Sequence, residues 1–162
     1  MDESFFEPLE LRGEHICDVR VTARTDGPGR IDSPWGATMI DYIADGEFGG
    51  PRMRGRVLPG GGDWPAISND GRHSMKIDAR AVWQTDDGAK IYVRYEGLVL
   101  LPKAAFEGPI DIAAVDPADY YLRTTPIFRT GDERYLWLNE TVCVGVGRFA
   151  PGGLGYRVYA IR

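Results

Sequence analysis

An acid and an indole follow three consecutive glycines in the segment LPGGGDWPAI, residues 58–67. Glycine loses more freedom on ordering than any other residue, so it is selected where backbone takes positive φ or passes close to another group. What it presents here, Asp63 beside Trp64, suits proton transfer against an apolar wall. A carboxylate is a weak base in water, and burial beside aromatic groups raises its pKa towards a useful range. The plainer reading is an aspartate that caps the amides of a turn, which is common for Asp after Gly. Further acids and donors are Asp78, Arg80, Asp87, Tyr92, Tyr135 and Asn139. Asp78 and Arg80 stand two apart, so an extended chain puts them on one face. There they form a charge pair, or Arg80 clamps a substrate carboxylate. Asp87, within Asp86-Asp87-Gly88, has the chemistry of a tight turn. Tyr135 and Trp137 can stack a flat ligand or fill core space.

Other chemistries are poorly provided for. His15 and His73 lie far apart, outside any H-x-x-x-H or Cys/His cluster, so no zinc or iron site is expected. There is no G-x-S-x-G elbow for a serine nucleophile. The triple glycine continues as Asp-Trp-Pro rather than Lys-Ser/Thr, and a carboxylate there repels phosphate. GVGRFAPGG (145–153) sits among strand-like runs without the following helix that a dinucleotide fingerprint needs. What remains is acid–base chemistry with no bound cofactor and no metal.

The elements that position these residues read as strands. Twenty-one glycines and 11 prolines fall between short extended runs. The runs cover 14–24, 37–46, 51–59, 73–85, 90–101, 119–130, 134–150 and 154–162, and DDGA (86–89) is a hairpin signal. Eight to ten strands at this spacing make an all-β barrel or sandwich. Residues 102–106 and 116–121 each suit one helical turn, the second with Asp116 as cap and Pro117 at the first helical position. With no repeat or linker, residues 1–162 form a single domain. Along 76–84 the pleat puts Lys76, Asp78, Arg80, Val82 and Gln84 on one face, with Ile77, Ala79, Ala81 and Trp83 on the other. Extended pairing over 135–143 would likewise gather Tyr135, Trp137, Asn139, Thr141 and Cys143 on one face. That ladder suits either the wall of a ligand cavity or an exposed cross-strand stack.

A net charge of −5 argues against nucleic acid as a partner, although Arg52, Arg54 and Arg56 would line one face of an extended segment. Cys17 and Cys143 exclude a disulfide framework and leave a single bridge open. The start MDESFFEPLEL is no signal peptide and no stretch is long enough to span a bilayer, so the expected location is the cytoplasm, with no membrane partner. Closed-symmetry dimers are the commonest oligomers, so a homodimer is the oligomer to expect.

Three blocks, GEFGGPRMRGRVLPGGGDWP, IDARAVWQTDDGAKIYVRYEG and YYLRTTPIFRTGDERYLWLNETVCVGVG, together resemble the DUF3237 (UPF0311) family of small bacterial and fungal proteins. The likeness runs in order from about Gly46 to the C-terminus. It implies a single antiparallel β-barrel of lipocalin-like size with a central cavity. It also implies cofactor-independent work on small organic molecules, by cyclases or similar acid–base catalysts of natural-product and aromatic pathways. The family's polar motif positions fall on Asp63, Asp78, Arg80, Asp87, Tyr135 and Asn139. Together with the residues, this gives a cyclase, isomerase or lyase acting on a small aromatic or polyketide-like molecule. Asp63 is its base or acid, and Arg80, Tyr135 and Asn139 are charge-stabilising donors. Trp64, Asp78, Asp87, Tyr92 and Trp137 contact the substrate. The alternative is a barrel that binds a small hydrophobic ligand without catalysis. A third reading, a protein-interaction module, predicts a filled interior.

Overall fold

A computed structural model describes Glu7 and residues 9–68, 74–106 and 111–162. Ten strands occupy them: β1 (Gly13–Ala23), β2 (Gly29–Ser33), β3 (Gly36–Gly49), β4 (Arg54–Asp63), β5 (Ala66–Ile67), β6 (Ser74–Thr85), β7 (Lys90–Leu100), β8 (Tyr121–Arg129), β9 (Cys143–Ala150) and β10 (Gly153–Ile161). The pairing order β1-β10-β9-β8-β7-β6-β4-β3 returns to β1 through β3, so eight antiparallel strands close a barrel. β2 hairpins onto β3, and β5 bridges β3 and β6 beside the barrel. Closure removes the free edges that an open sheet of this length would leave for aggregation.

The DDGA hairpin forms as its sequence demands. Gly88 takes φ 90° in the turn, and β6 and β7 then pair without interruption from Gln84↔Lys90 to Ser74↔Leu100. The pleat of β6 also falls as the alternation implies: Ile77, Ala81 and Trp83 are core, whereas Lys76 and Val82 are exposed.

Antiparallel order gathers strand ends into two rims. The upper rim holds the ends of β4, β7 and β9 and the starts of β6, β8 and β10. The lower rim holds the 86–89 turn, the start of β9 and the end of β8. The link from β7 to β8 runs along the upper rim as three short 3-10 helices, Lys103–Phe106, Ile112–Ala114 and Pro117–Asp119. Asp116 caps the last of these, accepting from the Ala118 N–H at 2.9 Å with Pro117 following it. Tyr120 is buried and its hydroxyl accepts the Phe149 N–H at 2.9 Å, tying this link to β9.

Two expectations about local structure are corrected. The glycine run, which falls between the expected extended runs 51–59 and 73–85 and so reads as a loop, is strand instead: β4 continues through it to Asp63 with a bulge between Leu58 and Gly62. The stretch 135–143 is not a strand. It is a 3-10 helix, Glu133–Glu140, followed by β9 from Cys143. Asp132 caps this helix by accepting from the Arg134 N–H at 3.1 Å, and the Thr141 hydroxyl bonds the Trp137 carbonyl at 2.6 Å. A cap and a helical spacing that buries Leu138 outweigh the β-propensity of Tyr, Leu and Trp. The face assigned to Tyr135, Trp137, Asn139, Thr141 and Cys143 therefore does not exist. Arg52 is likewise outside β4, bonded to Glu14 at 2.8 Å and stacked over Trp137, so the arginine row shrinks to Arg54 and Arg56. Cys17 and Cys143 are buried free thiols, with the Cys17 pKa pushed up by burial to about 12.

Candidate functional site

The bulge in β4 has a steric cause. Gly60 takes φ 102°, and a Cβ on Gly61 would stand 2.3 Å from the Arg80 carbonyl oxygen, so only glycine lets β4 cross β6 this closely. Beyond the bulge the register resumes with Gly62↔Arg80 and Asp63↔Ala79, and on the other side with Asp41↔Asp63. Paired residues share a face, and Ala79 pairs in turn with the buried Tyr95. Asp63 therefore faces the barrel interior, opposite Asp41 of β3.

Its carboxyl accepts from the Asp78 N–H at 3.0 Å and, more weakly, from the Trp64 N–H. Burial raises its pKa to about 6; the Asp78 N–H offsets part of this, and the charges of Asp41 and Asp78 add to it. The Asp63 charge in turn raises the pKa of the Tyr156 hydroxyl, secondary to the burial of that ring, so the two side chains are electrostatic neighbours. Tyr156 of β10 stacks on Tyr95 of β7 across the interior, with ring centroids 5.6 Å apart. Below this pair the barrel is filled by Phe48, Val57, Trp83, Ile91 and Phe128, none more than 3% exposed. Above it the inward apolar residues Val21, Ile43, Met75, Ala79, Phe149 and Leu154 are only partly buried. The inward side chains of the upper half, here called the cup, are thus apolar and partly exposed, with an acid among them.

The remaining predicted residues are elsewhere. Asp78 and Arg80 alternate with the core face of β6 and stand on the outer wall, bonded to each other at 3.2 Å, with Arg94 next in the row. Tyr92 pairs with exposed Val82 and Arg129, also outside. Trp64 lies over Gly62 on the outer face, edge-on to Tyr42 at 6.5 Å. Asp87, Tyr135, Trp137 and Asn139 are at the lower rim. There Asp87 accepts from the Tyr135 hydroxyl at 3.0 Å and pairs with Arg134 at 2.9 Å. The Thr85 hydroxyl, then Tyr135 and Arg134, hold the Asp87 carboxyl below the usual range. The Asn139 amide clamps Thr130, accepting its N–H at 3.0 Å and donating to its carbonyl at 2.9 Å. Of the nine residues expected to share a site, only Asp63 faces the cup. The residues related to it that sequence reasoning passed over are Asp41 and, by register or charge, Tyr95 and Tyr156. Alternation in KIYVRYEG and LGYRVYA puts both tyrosines on the apolar side, but only the cross-strand register brings them to Asp63.

Among the described residues no three His, Cys, Asp or Glu side chains gather to hold a metal ion, and no helix is long and apolar enough to cross a membrane. His73 lies outside the described residues.

A closed eight-stranded antiparallel barrel with two added strands and an inward carboxyl near one rim defines the class. Within it, the chain belongs to the DUF3237 family, described as a protein of unknown function, whose model matches residues 12–161. It is 30% identical over 154 residues to a UPF0311 protein of Clostridium acetobutylicum, covering 94% of this chain and 95% of that one. A UPF0311 protein of Rhodopseudomonas palustris is 34% identical over 110 residues, with 68% and 71% covered. Among solved structures, a β-barrel-like protein of Acinetobacter baumannii superposes with a TM-score of 0.81 at 27% identity, covering 97% of this chain and 99% of that one. An enzyme from Penicillium herquei shares the fold at TM-score 0.69 and 22% identity, with 96% and 98% covered.

Proposed function

We propose that the protein is a cofactor-independent acid–base enzyme that binds a small aromatic or polyketide-like molecule in the upper cup, with Asp63 as the group that takes and returns a proton. The observation that carries this reading is a carboxyl turned inward among partly exposed apolar side chains, with its pKa raised by burial to about 6. A group that titrates near neutrality exchanges protons in both directions at working pH. Such a group beside an apolar cavity is a functional-site candidate on physical grounds. That a fungal barrel of the same fold is an enzyme supports the architecture as a host for catalysis. Proton abstraction followed by ring closure, isomerisation or C–C cleavage are the reactions this group serves.

The test is a thermal-shift screen against phenols, aromatic acids and polycyclic ketones, followed by a turnover assay of each hit. A ligand at about a hundred times its dissociation constant adds roughly 2.7 kcal/mol of stability. Wild type is expected to turn over a hit with a rate that bends near pH 6, and Asp63→Asn to bind it without turnover. Hits that bind equally to both and are turned over by neither point to the second reading, a non-catalytic binding barrel. That reading draws support from the placement of Arg80, Tyr135 and Asn139, which leaves Asp63 without the expected donors.

A further inference from the structure

The interior beside Asp63 holds polar groups that the protein itself does not satisfy. Trp83 Nε1 and Thr124 Oγ1 are buried without a hydrogen-bond partner. The rings of Tyr95 and Tyr156, both more than nine-tenths buried, lie beside them, and their hydroxyls make no hydrogen bond to the described residues. Two further buried atoms without a hydrogen bond, Asp78 Oδ1 and Arg94 Nε, belong to the outer wall. A buried donor left unmade costs about 1–3 kcal/mol, and native interiors keep such groups few. Here the interior groups form one contiguous set. Trp83 lies 6.3 Å from Tyr95, and Tyr95 5.6 Å from Tyr156. Thr124 reaches Tyr156 at Gly145, where a Cβ would stand 2.3 Å from Thr124 Oγ1 and 3.6 Å from the Tyr156 ring. The chain thus leaves out a side chain at 145 and keeps the hydroxyl of Thr124, where valine would fill the same volume without an unmet polar group.

We propose that these groups are the recognition site for an acceptor oxygen of the ligand, so that the molecule taken by the cup is an aromatic ketone or its enol. Tyr156 donates to that oxygen, with Thr124 beside it and Tyr95 and Trp83 extending the row inward. This rests on the reading of the cup as a binding site and deepens it. Enolisation then balances within the site. The Asp63 carboxylate takes the proton α to the carbonyl. The C–H pair becomes the C=C bond, and the carbonyl π pair moves to the oxygen held by Tyr156. Returning the proton to carbon restores the carboxylate. Preorganised donors aimed at a developing oxyanion favour that step.

Titration of the whole chain with 2-acetylnaphthalene and with 2-ethylnaphthalene, the same ring system without the oxygen, tests this. Tyr156→Phe and Thr124→Val are each expected to weaken the ketone roughly five- to tenfold and leave the hydrocarbon unchanged. Both free variants should melt no lower than wild type, since each loses an unpartnered hydroxyl. Ketone and hydrocarbon affinities that fall together, ketone binding that neither substitution alters, or no ketone binding by wild type overturns the proposal. Asp63→Asn is expected to keep the preference for the ketone. A failure of Asp63 as proton carrier therefore shows as no turnover of any hit by wild type with this preference intact, and a failure of the oxygen site as turnover with the preference absent.

Discussion

The two ends of the barrel are built on opposite plans. At the lower end Phe48 stacks on Trp83 at 4.5 Å and Phe128 meets Trp83 edge-on at 5.5 Å. The 3-10 helix closes that end, with Leu138 buried, and Asp87, Arg134, Tyr135, Asn139 and the Arg52–Trp137 stack lock it in place. At the upper end the inward apolar side chains are only partly buried, and a carboxyl stands among them. The inward side chains of the lower end are fully buried; those of the upper end are not. Dense polar and aromatic sequence therefore marks the part of this molecule that holds the barrel shut, and the candidate site is at the end whose inward side chains stay partly exposed.

The largest effect separates the ends by stability. Trp83→Ala, in the filled half, should cost about 3–5 kcal/mol in urea denaturation. Leu154→Ala in the cup should cost clearly less, and equal losses would erase the distinction. Next comes Asp63. Its folded pKa is raised from 3.8 to about 6, so its contribution to stability is fully present below the unfolded value and is lost as pH rises through about 6. Two units correspond to about 3 kcal/mol at pH 8. Asp63→Asn keeps an acceptor for the Asp78 N–H, so it should be more stable than wild type at pH 8 by up to that amount. The gap should close towards pH 4, and denaturation curves at the two pH values read it directly.

Asn139→Ala should cost about 1–2 kcal/mol through loss of the Thr130 clamp, with no change in ligand affinity at the upper end. An affinity change would mean that the ends are coupled. Smallest is Arg80→Ala: an exposed pair with Asp78 on the outer wall is worth under about 1 kcal/mol, and melting and ligand titration should both stay near wild type.

How far the sequence carries this account follows from particular residues. Period-2 alternation in β6 and β7 and the Asp-Gly turn between them were legible, because strand geometry and turn chemistry are local. The capped turn at Asp116-Pro117 was legible for the same reason. The helix at 133–140 was hidden because its residues are strong strand formers and its cap, Asp132, also suits a turn. The inward placement of Asp63 agrees with the expectation drawn from the glycines before it. The placement of Arg80, Tyr135 and Asn139 relative to it was not legible: Arg80 lies beside it on β6 but on the opposite face of the pleat, and Tyr135 and Asn139 sit on the 3-10 helix at the other rim. Tyr156, 93 positions further along the chain than Asp63, joins it only through closure of β10 onto β1 and β3 onto β4.

The central claim is that Asp63 titrates inside the barrel as a proton-exchanging group. Carbon-detected NMR of the aspartate side-chain carboxyls across pH 3–9, with Asp63→Asn to assign the resonance, measures this without a ligand. The account predicts a midpoint near 6 for Asp63, as burial dictates. A midpoint near 4, that of a carboxyl in water, would contradict it.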